Sequence, residues 1–349
     1  MVQRPWRPVV VASLVLLAAT PQAASARSLA PTTRQAPAPA KVTILYGDWT
    51  DPARAGRKTP YKLYVPQGVG PFPLIIHSHG LGGSREGSTY ILQAVAEAGF
   101  VVAALQHPGS DTAILAGARP GQEARLLEAL SPDAAAHRFG DTPFALDQLT
   151  AMNAPGGSLA GKLDLSRIGM SGHSFGALST LVAVGQVLPG APPAMFRDPR
   201  IKAAIVYSPN KARQGGSDTA FNAIRTPIMH FTGTQDRTPI DLEKSPWERT
   251  IPFQKITGAD QYLIVLRDGD HGVFTGRRQM MGVPKPTDAA QMRVIVEQTL
   301  VFWRAYLAAA PQAAKALCAI PSTLASSGEA YVKAKPCGAP TPIRPAEAP

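Results

Sequence analysis

The sequence predicts an α/β fold, with a mostly parallel central sheet and helices on both faces. Three observations carry the expectation. Nearly continuous apolar runs at 72–77, 100–105 and 201–207 have the pattern of strands buried on both faces. Helix-like segments lie between such runs, as parallel crossovers require. A glycine-bracketed turn from Gly172 to Gly176 leads from an apolar strand directly into a small-residue helix.

Taken in order, residues 42–46 and 61–65 are rich in β-branched and aromatic side chains and read as two early, antiparallel strands. A strand at 72–77, a helix at 90–98 and a strand at 100–105 follow. The stretch 107–165 is less regular, rich in turn residues with one helix near 142–152, and reads as an insertion over one end of the sheet. Alternation then resumes, with a strand at 167–171, a helix at 175–188, and strands at 201–207, 227–232 and 261–266. A long helix at 288–307 closes the pattern. Residues 27–41 are Ala- and Pro-rich without periodicity and read as a linker. One catalytic-sized domain therefore spans 42–310, and 311–349 form a C-terminal tail.

With 349 residues, 45% of them hydrophobic, the chain can bury a large core, which excludes global disorder. The net charge of +11 raises the question of nucleic acid, but the basic residues are scattered and form no groove-tracking stripe. Residues 1–26 have the layout of an export signal. Arg4 and Arg7 precede an apolar run at 9–19, and Ala24, Ser25 and Ala26 supply a small-residue cleavage site. That run is shorter than the roughly 20 residues that span a bilayer, so no transmembrane anchor is expected after cleavage. The expected location is periplasmic or secreted. An oxidising compartment makes the only two cysteines, Cys318 and Cys337, a natural disulfide within the tail.

The chemistry concentrates at Gly172, His173, Ser174, Phe175 and Gly176, a G-x-S-x-G pattern. In a sharp strand-to-helix turn this spacing presents the serine hydroxyl at the strand end while the glycines let the backbone pack closely. A serine hydroxyl needs a base, and in this architecture the base comes last in the chain. His271, in the loop after the 261–266 strand, fits. A carboxylate must orient the imidazole. Asp236, after the 227–232 strand, is preferred over Asp270, whose adjacency to His271 makes facing the ring difficult, and over Asp241 further along. Donors for a developing oxyanion are expected from the N–H of Phe175 and, in the glycine-rich loop after the 72–77 strand, that of Leu81. His77 and His79, with His107 as a conceivable third ligand, lack recognisable metal spacing, so neither metal nor cofactor is expected.

These segments resemble the α/β-hydrolase superfamily. Within it the chain is similar to the branch of plasma-type platelet-activating-factor acetylhydrolases and bacterial dienelactone-hydrolase-like exported esterases. SHGLGG at 78–83, GHSFGA at 172–177, TGTQD at 232–236 and DGDHGVF at 268–274 carry the resemblance. It implies an α/β-hydrolase fold, with Ser174, Asp236 and His271 as triad and Leu81 and Phe175 as oxyanion donors. True dienelactone hydrolases use a cysteine where this chain has Ser174, so their substrate is not carried over. The expected function is hydrolysis of a small-molecule or lipid-like carboxylic ester by a monomer. The alternatives are a peptidase or amidase of the same fold and a non-catalytic binding protein.

Overall fold

In the computed structural model the described residues are 39–117, 119–192, 195–210, 219–237, 245–276, 283–324 and 327–338. The expected export signal, most of the linker, Asp241 and the end of the tail lie outside them. Among the described residues nine strands form one sheet in the order β1-β2-β4-β3-β5-β6-β7-β8-β9. They are β1 (Val42–Asp51), β2 (Arg57–Pro66), β3 (Phe72–Ser78), β4 (Val101–Leu105), β5 (Leu163–His173), β6 (Ile201–Tyr207), β7 (Ile228–Gln235), β8 (Gln261–Asp270) and β9 (Gly328–Lys333). The six central strands, from β4 across to β8, run parallel, and antiparallel strands flank them on both sides. All six carboxyl ends therefore open at one end of the sheet, the edge where ligands bind in open α/β folds.

Seven helices among the described residues complete the layers, in chain order α1 (Thr89–Glu97), α2 (Arg119–Ala129), α3 (Pro132–Asn153), α4 (Phe175–Ala183), α5 (Ile251–Lys255), α6 (Asp288–Tyr306) and α7 (Pro311–Thr323). Successive side chains of a strand point to opposite faces, and the core divides accordingly. Leu74 and Ile76 of β3 pack with Ala145, Leu146 and Leu149 of α3 and Ala177 and Leu181 of α4. Ile75, between them, faces the layer that holds α1, α6 and α7, with Trp303 and Phe302 at its centre. Burying those side chains on both faces is the main stabilising term, at roughly 2 kcal/mol for each large one.

Two segments depart from their sequence pattern. The stretch 107–165 contains a 22-residue helix, α3, that covers the sheet as a crossover between β4 and β5. Gly140 and Pro143 obscure it, because both oppose helix formation. Ser131 caps its start by accepting from the Ala134 N–H, and burial of Ala145, Leu146 and Leu149 holds the rest. The tail is also ordered into the fold. Leu317 and Ile320 of α7 enter the core, and β9 pairs with β8 over six residues. Cys318 and Cys337 form a disulfide that ties α7 to the turn after β9.

Candidate active site

The turn after β5 is built by close backbone approach. A Cβ on Gly176 would overlap the carbonyl of Ser78, and one on Gly172 would overlap the carbonyl of Gly176. Only glycine permits both contacts. Between them Ser174 sits at φ 55°, ψ −113°, a conformation that costs an L-residue strain and projects its side chain off the strand end. Its amide is anchored to the Tyr207 carbonyl of β6 at 2.9 Å. Ser208 and Asp268, at the ends of β6 and β8, also have positive φ. Strain thus gathers at this edge of the sheet.

Asp236 follows β7 and is fully buried. Its Oδ1 accepts from His271 Nδ1 and from Ser208 Oγ, each at 2.8 Å, and its Oδ2 accepts from Thr232 Oγ1 at 2.9 Å. Buried Arg249 approaches Oδ1 to 3.1 Å and donates to the Asp236 carbonyl. Burial pushes the carboxyl pKa up, but the His271 bond, the Arg249 charge and the Ser208 hydroxyl outweigh it and hold it below its ordinary value. Asp270 turns elsewhere, to the Gly272 amide and Lys285 Nζ. The carboxylate that faces the His271 ring is Asp236.

The ring of His271 is held on two further sides. Ser208 Oγ lies 2.8 Å from Nδ1, and the His173 ring packs against it tilted by 48°, 4.5 Å between centroids. His173 Nε2 donates to the His271 carbonyl at 3.2 Å. Burial, with the charges of His271 and Arg249, drives the His173 pKa far down, so it stays a neutral donor. With Nδ1 engaged, Nε2 is the nitrogen His271 can offer to Ser174. Among the described residues no hydrogen bond joins Ser174 Oγ to the ring. In substrate-free enzymes such bonds are often long and tighten when substrate binds.

Leu81 and Phe175 lie in one apolar cluster with Phe139, Val182 and Leu178. Among the described residues neither backbone N–H has an acceptor. The loop after β3 is fastened from below. Arg138 of α3, fully buried, donates to Ser78 Oγ (2.9 Å), Ser110 Oγ (2.7 Å), Ser179 Oγ (3.0 Å) and the His79 carbonyl. Its guanidinium lies 4.5 Å from the Phe175 ring centroid. Burial lowers its pKa to about 9, so it remains charged at neutral pH. His107 spans Ser78 Oγ and Asp141 at 2.9 Å each, and Asp141 also receives Arg54 and Arg57. His77 and His79 point to separate partners, Ser171 Oγ and the His107 amide.

Residues 38–121 match the family model of platelet-activating factor acetylhydrolase, isoform II. The matched stretch runs from β1 past β4 and contains the loop with Leu81. It supports the resemblance to that branch of the α/β hydrolases. Ser174, Asp236 and His271 lie beyond it and stand on their geometry.

Ser208, Arg249 and Arg138 are the site residues that the motifs do not single out, and His173 lies within the G-x-S-x-G pattern only as one of its variable positions. Ser208 carried one usable signal, since it ends a buried strand at the edge where Ser174 and Asp236 also sit. Arg138 and Arg249 carried none, because each reaches the site through tertiary packing alone.

Proposed function

We propose that the protein is an exported serine hydrolase that cleaves carboxylic esters through an acyl-enzyme. The observation that carries this reading is the line from buried Asp236 through His271 Nδ1, which leaves Nε2 for a serine presented on a strained turn. Ser174 Oγ attacks the ester carbonyl as His271 Nε2 takes its proton. The carbonyl oxygen becomes an oxyanion, received by the N–H groups of Leu81 and Phe175. The intermediate collapses, and the alkoxide leaves with the proton returned by His271. Water, deprotonated by the same nitrogen, then attacks the acyl-serine and releases the acid. Asp236 holds the ring in one tautomer and balances the imidazolium. The family match favours an ester over an amide. Export is in keeping with the disulfide, and no helix among the described residues is long and apolar enough to cross a membrane.

The test is hydrolysis of p-nitrophenyl acetate, butyrate and octanoate by the folded protein and by Ser174→Ala. Wild type is expected to turn over at least one ester, with Ser174→Ala reduced by about 10⁴-fold or more. Full activity in Ser174→Ala would remove the assigned nucleophile. No turnover of any ester by wild type would remove the esterase reading.

A further inference from the structure

Arg138 is an unusual group to find at the centre of this molecule. It is fully buried, and among the described residues no carboxylate forms an ion pair with it. Its partners are three serine hydroxyls, one carbonyl and one aromatic face. Asp141 and Asp111 act on it only from a distance, and each is committed elsewhere, Asp141 to Arg54, Arg57 and His107, Asp111 to Gln106 and the Ala113 amide. A buried charge without a contacting counter-ion is costly. Here hydrogen bonds to three hydroxyls and a carbonyl stand in for a counter-ion, and where those partners sit is what matters.

Its contacts fall on both arms of the proposed oxyanion site. On one arm it holds Ser78 and the His79 carbonyl, just before Leu81. Through Ser110, whose carbonyl accepts from the Gly82 amide at 2.9 Å, it also holds the chain just after Leu81. On the other arm its charge lies against the Phe175 ring. Its Nε reaches Ser179 Oγ, which in turn donates to the Phe175 carbonyl at 3.1 Å. One guanidinium therefore brackets Leu81 and fixes the first turn of α4.

We infer that Arg138 is a positioning residue that sets the two oxyanion N–H donors at their working separation and supplies a buried positive field for the oxyanion. The inference rests on the serine-hydrolase reading above. It goes beyond that reading in assigning a role to a side chain outside the triad and the oxyanion loop. A merely structural staple would, when removed, weaken every bound species alike. A positioning residue would weaken only those that carry the oxyanion.

The experiment compares wild type, Arg138→Gln and Arg138→Lys, each shown folded by circular dichroism and thermal melting. Three quantities are read: kcat and KM for p-nitrophenyl butyrate, inhibition by an alkyl trifluoromethyl ketone, which forms an oxyanion on the serine, and inhibition by an ether analogue, which forms none. In Arg138→Gln kcat is expected to fall by about 100-fold with KM nearly unchanged, the scale set by small misplacements of a reacting group. Ketone affinity should fall with kcat/KM, ether affinity should hold, and Arg138→Lys should recover part of the loss. Equal losses for ketone and ether, or wild-type behaviour in Arg138→Gln, overturn the inference. If Arg138→Gln does not fold, Ser110→Ala removes one anchor and is expected to weaken the ketone but not the ether. Unchanged ketone affinity there overturns the inference too. Inactive Ser174→Ala with unaffected Arg138 variants removes only this inference, whereas an inactive wild type removes the hydrolase reading and this one together.

Discussion

Asp236 buries a carboxylate completely, which by itself favours the neutral form. The His271 bond, the Arg249 charge and the Ser208 hydroxyl reverse that preference, so the group that faces Nδ1 is an anion, and Thr232 Oγ1 donates to its second oxygen. An amide in its place would offer N–H to a nitrogen that must itself donate, and would turn the imidazole toward the wrong tautomer. Asp236→Asn is accordingly expected to lower kcat by about 10⁴-fold. Asp270→Asn, which weakens the Lys285 pair and the Gly272 amide contact and leaves the His271 ring facing Asp236, should change it by less than about threefold. Steady-state kinetics on the two variants measure this, and a greater loss in Asp270→Asn would reverse the assignment. Chain order and strand ends made Ser174, Asp236 and His271 legible as a candidate set, and Asp236 and His271 are hydrogen-bonded in the fold. Ser208 was legible only as the end of a buried strand, and Arg249 and Arg138 were not legible at all, because their roles come from tertiary packing and burial, neither of which leaves a spacing in the sequence.

At the scale of elements, strands were legible wherever both faces are buried, because a short uninterrupted apolar run is stable only where neither face meets water. The pattern failed where stability comes from contacts instead of periodicity. In α3, Gly140 and Pro143 break the helical signal, while the Ser131 cap and the sheet beneath supply what propensity withholds. In α4 the expected helix ends early, at Ala183, because Gly185 at φ 119° redirects the chain. The tail is short and Ala-rich, yet β9 covers the edge of β8 that would otherwise expose a row of unpaired backbone groups. The Cys318–Cys337 bond closes this unit across 19 positions, which stabilises it by roughly 3 kcal/mol in the chain-entropy model. Cys318→Ser with Cys337→Ser should therefore lower Tm by roughly 5–10 °C. Ester hydrolysis well below that transition should be unchanged, since neither cysteine touches the site. A Tm unaltered by the double substitution, or by reduction, would mean the tail holds without its bond.

For the whole molecule, the excess of basic residues is less telling than the state of its histidines. His77, His79, His107, His173 and His230 are buried. Burial, aided in most by neighbouring positive charge, lowers His77 and His230 to about 3 and His107 to about 4, with His79 and His173 also far below 6.5. The sign follows directly. Below pH 6.5 the unfolded chain binds protons at these five imidazoles while the folded protein keeps them bare, so stability falls as pH falls. Each proton of difference costs about 1.4 kcal/mol per pH unit. The loss begins near 6.5 and continues toward 4. Asp236, held low when folded, adds the same sign below its ordinary value of 3.8. Thermal melts should thus be flat above pH 7 and drop steeply between 6.5 and 5. A control isolates one contributor. His230, on β7 and outside the proposed triad, packs against Phe253. At pH 5 His230→Gln should remove about one proton from the pH dependence of stability. Chemical denaturation at closely spaced pH values reads that slope, and an unchanged slope in His230→Gln, or a flat wild-type profile, would show that these imidazoles are protonated in the folded protein.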